Sequence, residues 1–147
     1  EEFQNLAKKN LKKLGLDSRV AFKLGKIEDG FSEKNVDAFF LDVLNPYDYI
    51  PQVRGALKPG GFFGCLVPTT NQVTRLLNAL RFEKFAFVDV VEVFLRYYKP
   101  EPERLRPTDR MVAHTGYLVF GRPMIDDNTL EDAVILDADE IILDEDI

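Results

Sequence analysis

Residues 36–81 read VDAFFLDVLNPYDYIPQVRGALKPGGFFGCLVPTTNQVTRLLNALR, and they contain two apolar runs followed by helical patterns. The apolar runs 36–43 and 61–67 are typical of buried strands, and the apolar spacing in 72–81 predicts an amphipathic helix. A shorter helix is predicted over 48–57. Because strands alternate with helices, we expect an α/β fold whose parallel sheet is covered on both faces.

Periodic patterns continue on both sides of this stretch. The sequence predicts a helix over 1–14 that Gly15 ends, strands over 19–24, 86–95 and 114–120, and a Pro/Arg-rich loop over 99–110. The turn at 58–61 (KPGG) is expected to lie outside any regular element. No helix separates the last two strands, so they are expected to form an antiparallel pair at one edge of the sheet.

Composition limits the classes of protein that this chain can belong to. Its 147 residues are 46% apolar and 12% aromatic, which suffices for one globular domain and excludes global disorder. The single cysteine, Cys65, excludes a disulfide framework, and with one histidine no metal site is expected. No apolar run approaches the roughly 20 residues that span a bilayer. We therefore expect a soluble, cytoplasmic protein with no membrane partner.

Charge divides the chain into a body, residues 1–123, and an acidic tail, residues 124–147. The net charge is −6, but the tail contains ten acidic residues and no Lys or Arg. The body holds all 19 basic residues and 15 acidic ones, which gives it a charge of +4. An anionic partner such as RNA is therefore compatible with the body. The tail suits a solvated extension, although the aliphatic pairs in 133–144 (AVILDADEIILD) could also dock as a strand.

The glycine-rich turn of a nucleotide-binding α/β domain is not found in this sequence. Such a domain holds its ligand at a G-x-G-x-x-G turn after the first strand, and no such motif occurs here. The chain opens in a helical pattern without a preceding strand. Either the protein binds no dinucleotide-like ligand, or the binding segment precedes Glu1; we favour the second interpretation.

Three blocks of the sequence are specific enough to indicate a family. They are Asp42 with Asn45-Pro46-Tyr47, then 66–72 (LVPTTNQ), and 111–117 (MVAHTGY). Together they make residues 1–123 resemble the tRNA (adenine-N1)-methyltransferase family. Those enzymes use S-adenosylmethionine (SAM) to methylate N1 of adenine 58 in the T-loop of tRNA.

The resemblance implies a class I SAM-dependent methyltransferase (Rossmann-like) fold with an antiparallel terminal hairpin. It also implies that the chain is N-terminally truncated, so that the first strands and the glycine motif would precede Glu1. The implied cofactor is SAM, the implied partner is tRNA, and the implied assembly is a homotetramer. Residues 1–123 would then be the C-terminal part of a catalytic domain that folds poorly alone.

Asp42 is the candidate catalytic residue. It follows the most apolar predicted strand, and open α/β sheets place their sites at the carboxyl ends of strands. A carboxylate there can orient the exocyclic amine of adenine and stabilise the positive charge that grows as N1 is methylated. The resemblance assigns Asp42 the role of holding the target adenine, and we also place it among the cofactor contacts.

Two polar segments are candidates for binding the substrate. In Asn45-Pro46-Tyr47 the amide offers a hydrogen bond to a base edge and the ring offers a stacking face; the alternative is a Pro-Tyr turn that covers the sheet edge. Many family members have Pro and Asp where this chain has Leu44 and Asn45. The second segment consists of Thr69, Thr70, Asn71 and Gln72. It must partly cap a helix, and the resemblance places it beside the substrate pocket.

The cofactor contacts predicted elsewhere are Gly25, Lys26 and Ile27. The family usually has Gly-Asp-Ile here, with the Asp accepting a hydrogen bond from the adenine amine of SAM. Lys26 cannot accept that bond, although backbone contacts from Gly25 to Ile27 could remain.

The remaining candidates lie near the end of the body. His114, the only histidine, and Thr115 are assigned to the substrate side by the resemblance, whereas a lone histidine at a strand start is more often structural. The densest basic and aromatic stretch comprises Arg96, Tyr97, Tyr98, Lys99, Arg104, Arg106 and Arg110. It suits phosphate contact with base stacking, but a solvated loop or a subunit interface fits it equally well. Arg110 is taken as a substrate contact.

Three functions remain open at this point. The first is the tRNA adenine-N1 methyltransferase. The second is a non-catalytic RNA-binding or assembly subunit of the same fold, which Lys26 and the missing glycine motif favour. The third, a dehydrogenase-like nucleotide domain, is supported only by the alternation of strands and helices.

Overall fold

The computed structural model describes residues 2–108, 110 and 114–125. The predicted tail from residue 126 onward and motif residues 111–113 lie outside the described residues. The chain divides into two compact units, Glu1–Gly30 and Phe31–Ile147. Within the described residues, no helix is long and apolar enough to cross a bilayer.

The first unit is built on helix α1, Glu2–Lys13, as predicted. Gly15 ends it with φ +66°, while the Leu16 amide donates to the Leu11 carbonyl (3.0 Å) and the Gly15 amide to Lys12 (3.2 Å). This pair of bonds is the Schellman ending, which favours glycine at the left-handed position. Gly15 in the sequence was therefore sufficient to predict where this helix ends.

The strand predicted over 19–24 is wrong. A short 3₁₀ turn spans Asp17–Arg19, and residues 20–26 have no regular structure. Alternating side chains form a strand only where a second strand supplies backbone partners. None of the strand pairings within the described residues includes this segment. Its contacts are local: the Lys8 ammonium lies 5.3 Å from the Phe22 ring centroid.

The second unit contains the sheet and two helices. The strands are β1 (Val36–Leu41), β2 (Leu57–Val67), β3 (Phe85–Val91), β4 (Tyr98–Lys99), β5 (Arg106–Pro107) and β6 (Tyr117–Pro123), and the helices are α2 (Ile50–Ala56) and α3 (Thr70–Phe82). Four strands pair in the order β1-β2-β6-β3, and β4 with β5 forms a separate small hairpin. The predicted loop over 99–110 therefore holds part of a hairpin.

The sheet is mixed, which corrects the prediction of a parallel sheet. Only β1 and β2 run parallel, while β6 is antiparallel to β2 and to β3. The last two strands do pair antiparallel, as predicted. This pair lies at one edge of the sheet, with β3 as the edge strand and β6 between β2 and β3. The first residue of β1 (Val36) and the last residue of β2 (Val67) are as predicted, whereas the other bounds of the four paired strands differ from prediction by one to four residues.

The turn predicted at 58–61 lies inside β2. Between the pairs Val36–Leu57 and Ala38–Phe62, β1 advances two residues while β2 advances five. The extra residues bulge out of the ladder, and Gly60 adopts φ +71° there. The Arg122 guanidinium donates to the Gly60 carbonyl at 2.7 Å. The turn conformation was predicted correctly, but pairing resumes on the same strand after the bulge.

One face of the sheet forms the core with α2 and α3. Its fully buried side chains include Phe63, Val67 and Val119 from the strands and Leu76 and Leu80 from α3. The opposite face is not covered by α2 or α3, which corrects the prediction of helices on both faces for this unit.

That opposite face is aromatic. Phe40 is 73% exposed there. The ring centroids of Phe40 and Phe62 are 5.7 Å apart, and those of Phe62 and Phe120 are 5.5 Å apart. The sequence shows that a strand has two apolar faces but not which helices lie against each face.

Candidate functional site

Asp42 lies at the carboxyl end of β1, one residue past the strand, and its side chain is exposed. Beside it is a hollow of about 180 Å³. The lining residues are Phe40, Leu41, Asp42, Gly64, Cys65, Leu66, Leu118 and Phe120. Burial first, and then the negative charge of Asp42, raises the pKa of the Cys65 thiol to about 12. The thiol therefore stays protonated at neutral pH, and Asp42 is the carboxylic side chain among the residues that line this hollow.

The loop after Asp42 is held by a directed chain of hydrogen bonds. An Arg75 guanidinium N–H donates to the Tyr47 hydroxyl at 3.1 Å, and this hydroxyl donates to Asn45 Oδ1 at 2.9 Å. The guanidinium carbon also lies 5.4 Å from the centroid of the Tyr47 ring. Pro46, buried, begins a 3₁₀ turn that ends at Tyr49. The Asn-Pro-Tyr segment is therefore ordered by contacts with α3.

The turn between β2 and α3 caps the helix, as the sequence predicted. The Gln72 backbone N–H donates to Thr69 Oγ1 at 3.4 Å, and the Thr69 hydroxyl donates to Gln72 Oε1 at 2.9 Å. Gln72 Nε2 donates to the Leu44 carbonyl at 3.0 Å. Thr70 and Asn71 occupy the first turn of α3 with exposed side chains. One cap satisfies the helix end, and Gln72 connects this end to the loop after β1.

His114 joins two other segments of the same region. Its Nδ1 lies 2.5 Å from Glu92 Oε1, and its Nε2 lies 2.7 Å from the Pro68 carbonyl oxygen. Both partners are acceptors, so both ring nitrogens donate only when the ring is the imidazolium. The Glu92 hydrogen bond, followed by the Pro68 hydrogen bond, raises the pKa of His114. The ring also contacts Tyr117, at a centroid distance of 4.8 Å.

The other predicted substrate contacts lie on the same stretch of chain. Thr115 is exposed between His114 and β6, and Arg110 is exposed. The carbonyl of Arg110 accepts a hydrogen bond from the Thr108 hydroxyl at 3.3 Å.

Gly25, Lys26 and Ile27 belong to the first unit. The carbonyls of Lys26 and Ile27 accept from the amides of Asp29 (3.2 Å) and Gly30 (3.0 Å) within a 3₁₀ turn. The Lys26 side chain is exposed, and no atom lies within 4 Å of the position where a Gly25 Cβ would be. The backbone at Gly25 is therefore accessible to a ligand.

A model of one protein family matches residues 1–105, and its description is tRNA methyltransferase complex GCD14 subunit. The chain belongs to this family. The match includes Asp42, the Asn-Pro-Tyr loop and the β2–α3 turn, while His114 lies beyond it. The family and the fold expected from the three sequence blocks are thereby confirmed.

Known relatives of this GCD14-family chain agree. The crystal structure of tRNA (m1A58) methyltransferase TrmI from Aquifex aeolicus is 42% identical, with a TM-score of 0.74 over 85% of this chain and 51% of that one. A structure named SAM-dependent O-methyltransferase from Thermotoga maritima is 50% identical, with a TM-score of 0.79 over 85% of this chain and 47% of that one.

A curated relative extends the comparison to archaea. The tRNA (adenine(57)-N(1)/adenine(58)-N(1))-methyltransferase TrmI of Methanocaldococcus jannaschii is 28% identical over 147 aligned positions, which cover 82% of this chain and 52% of that protein. The GCD14-family chain thus spans about half the length of the relatives that it matches.

Two residues of this GCD14-family chain contact predicted site residues and were not themselves predicted from the sequence. Arg75 was counted only as part of a helix, because its partner Tyr47 is 28 residues away. Glu92 was counted within a predicted strand, and it lies 22 residues from His114. Val93, Phe94 and Leu95 continue the apolar pattern after Glu92, so the sequence does not mark Glu92 as the end of a strand.

Proposed function

We propose that this protein methylates N1 of adenine 58 in the T-loop of tRNA, with SAM as the methyl donor. The observation that carries the proposal is the position of Asp42, whose carboxyl group lies at a strand end next to an ordered Asn-Pro-Tyr loop, in a member of a tRNA methyltransferase family. The relatives named TrmI support the substrate. Residues 1–123 would form part of the catalytic domain, and 124–147 an acidic tail.

Methyl transfer to adenine N1 requires the protein to position the reactants and does not require a covalent intermediate. Adenine N1 is already a nucleophile, and the base becomes cationic as the methyl group is transferred. Asp42 accepts a hydrogen bond from the exocyclic amine, which orients the base and stabilises the developing charge. Asn45 and Tyr47 contact the base edge and face. Thr69, Thr70, Asn71, Arg110, His114 and Thr115 complete the substrate side.

The residues present fit part of a SAM site. SAM supplies an electrophilic methyl group on a cationic sulfonium. In the second unit, the Asp42 carboxylate beside an apolar hollow suits that cation. In the first unit, the backbone at Gly25 is open to a ligand. Lys26 cannot accept from the adenine amine. We place the protein in the cytoplasm, where tRNA is processed, as a homotetramer by analogy with the family.

A direct product assay tests this function. The complete gene product is incubated with unmodified tRNA transcript and SAM, and the digested RNA is analysed by mass spectrometry for 1-methyladenosine. A transcript with guanine at position 58 is the matched control. Because one relative is named an O-methyltransferase, ribose O-methylation is measured in the same digest. O-methylation without 1-methyladenosine would refute the proposed reaction.

The second candidate is a non-catalytic RNA-binding or assembly subunit of the same fold. Lys26 is the observation that favours it, because a donor stands where the cofactor amine needs an acceptor. This alternative predicts tRNA binding without SAM binding and without methyl transfer. Isothermal titration with SAM and with tRNA separates the two functions.

A further inference from the structure

We propose that Arg75 is a positioning residue, which fixes the orientation of Asn45 toward the substrate base through Tyr47. The segment 44–47, Leu44 to Tyr47, is called here the base loop. The inference rests on the proposed function, because the base loop matters only if a base is bound there. It assigns a role to a helix residue that has no substrate contact of its own.

The direction of the hydrogen bonds carries the argument. A guanidinium has donors only, so the Tyr47 oxygen must be the acceptor in its 3.1 Å contact with Arg75. The hydroxyl proton of Tyr47 is then directed to Asn45 Oδ1, 2.9 Å away. The Arg75 guanidinium also holds Tyr47 by a cation–π contact, with its central carbon 5.4 Å from the ring centroid.

The result is a defined orientation of one amide. With Oδ1 directed to Tyr47, the Asn45 amide presents its two N–H donors on the other side, and Asn45 is exposed. Within the described residues, the hydrogen bond from Tyr47 is the contact that the Asn45 side chain makes. A donor suits a ring nitrogen of the base, which leaves the exocyclic amine for the Asp42 carboxylate.

The base loop is attached to α3 at a second point. Gln72 Nε2 donates to the Leu44 carbonyl at 3.0 Å, so α3 holds the chain on both sides of Asn45. Gln72 and Arg75 are three residues apart and therefore share one face of the helix. The core-facing side of α3 is anchored by Leu76 and Leu80, both fully buried. A rigid helix thus supports a loop whose function requires precise geometry.

A double-mutant cycle tests the coupling. Arg75→Gln, Tyr47→Phe and the double variant are compared in the complete gene product, with Arg81→Gln as the matched control on the same helix. We expect each single variant to lower kcat for 1-methyladenosine formation about tenfold, and the double variant to lower it by the same factor, because both break one chain. KM for tRNA stays within about threefold, and Arg81→Gln leaves both constants unchanged.

Two kinetic results would overturn the inference. A raised KM for tRNA with unchanged kcat in Arg75→Gln would make Arg75 a phosphate contact. Additive losses of kcat in the double variant would mean that Arg75 and Tyr47 act separately. If Arg75→Gln fails to fold, Tyr47→Phe alone decides, because it removes one hydroxyl and retains the ring; an unchanged kcat then refutes the positioning role.

The failure of the proposed function gives a different result. If the wild-type protein forms no 1-methyladenosine, the geometry of the base loop can still be followed by NMR, through the chemical shifts of the Asn45 side-chain amide. The Asn45 amide pair is expected to shift in Arg75→Gln and Tyr47→Phe but not in Arg81→Gln. If the chemical shifts of the Asn45 side-chain amide were the same in Arg75→Gln and in the wild type, the inference would be refuted independently of any activity.

Discussion

Substitution of Asp42 by Asn tests the assignment of the site most directly. The change keeps the size of the side chain and removes its negative charge. The base gains positive charge during methyl transfer, so the carboxylate stabilises the transition state more than the bound substrate. We therefore expect kcat to fall, with a much smaller change in the binding of tRNA and SAM.

The magnitude follows from the position of Asp42. Two opposite charges about 4 Å apart interact by about 4 kcal/mol at an effective dielectric constant of 20. Asp42 is exposed beside an open hollow, so water screens part of this energy. A loss of roughly 3 kcal/mol corresponds to about a 10²-fold lower turnover, within the range for removal of one preorganised electrostatic partner.

The assay is single-turnover formation of 1-methyladenosine on a tRNA transcript. Asp37→Asn is the matched control, because Asp37 lies on the same strand and forms an exposed ion pair with Lys58. We expect its turnover to stay within about twofold, as exposed ion pairs contribute little. If Asp42→Asn kept wild-type turnover and weakened only SAM binding, Asp42 would be a cofactor ligand and the adenine pocket would be misassigned.

Three further predictions concern stability and charge. Leu76→Ala empties a fully buried position in α3 and should lower the free energy of unfolding by about 2–5 kcal/mol in urea melts; a smaller loss would mean that the core is not packed there. The raised pKa of His114 implies stabilisation that is complete below the unfolded value near 6.5 and lost as pH rises through the folded value. The urea midpoint should therefore decrease as the pH is raised above about 6.5, and Glu92→Gln should weaken this pH dependence; an unchanged pH dependence would refute the pairing. Deletion of residues 124–147 changes the net charge from −6 to +4 and should strengthen tRNA binding most at low salt, whereas equal affinities across a salt titration would exclude an electrostatic role of the tail.

The elements of the second unit could be predicted from the sequence because each carries its own signal. The apolar run before Asp42 and the spacing of Val73, Leu76 and Leu80 are local patterns, and Thr69 is a local cap. The insertion of β6 between β2 and β3 has no such signal, since pairing depends on residues far apart in the chain. The alternation of apolar and polar residues over 19–24 was misleading for the same reason, because a strand forms only where a second segment pairs with it.

The candidate site shows the same division. Asp42, Asn45 and Thr69 could be selected because each is a polar residue that closely follows an apolar strand. Arg75 and Glu92 could not, because an arginine on a helix and an acid on a strand are ordinary surface residues until their partners are known. The side chains that order a site are therefore harder to predict than those that face the substrate.

The two proposed functions differ in what Asp42 is needed for. An RNA-binding subunit requires positive charge and stacking faces, and an ionised carboxylate at the strand end would oppose the approach of phosphates. In that case Asp42→Asn should leave tRNA affinity unchanged or raise it, and there would be no turnover to lose. A methyltransferase gains from the same charge only while the base becomes cationic. A loss of turnover at constant tRNA affinity in Asp42→Asn would therefore favour the enzyme. This conclusion would hold even though Lys26 cannot accept a hydrogen bond from the adenine amine of SAM.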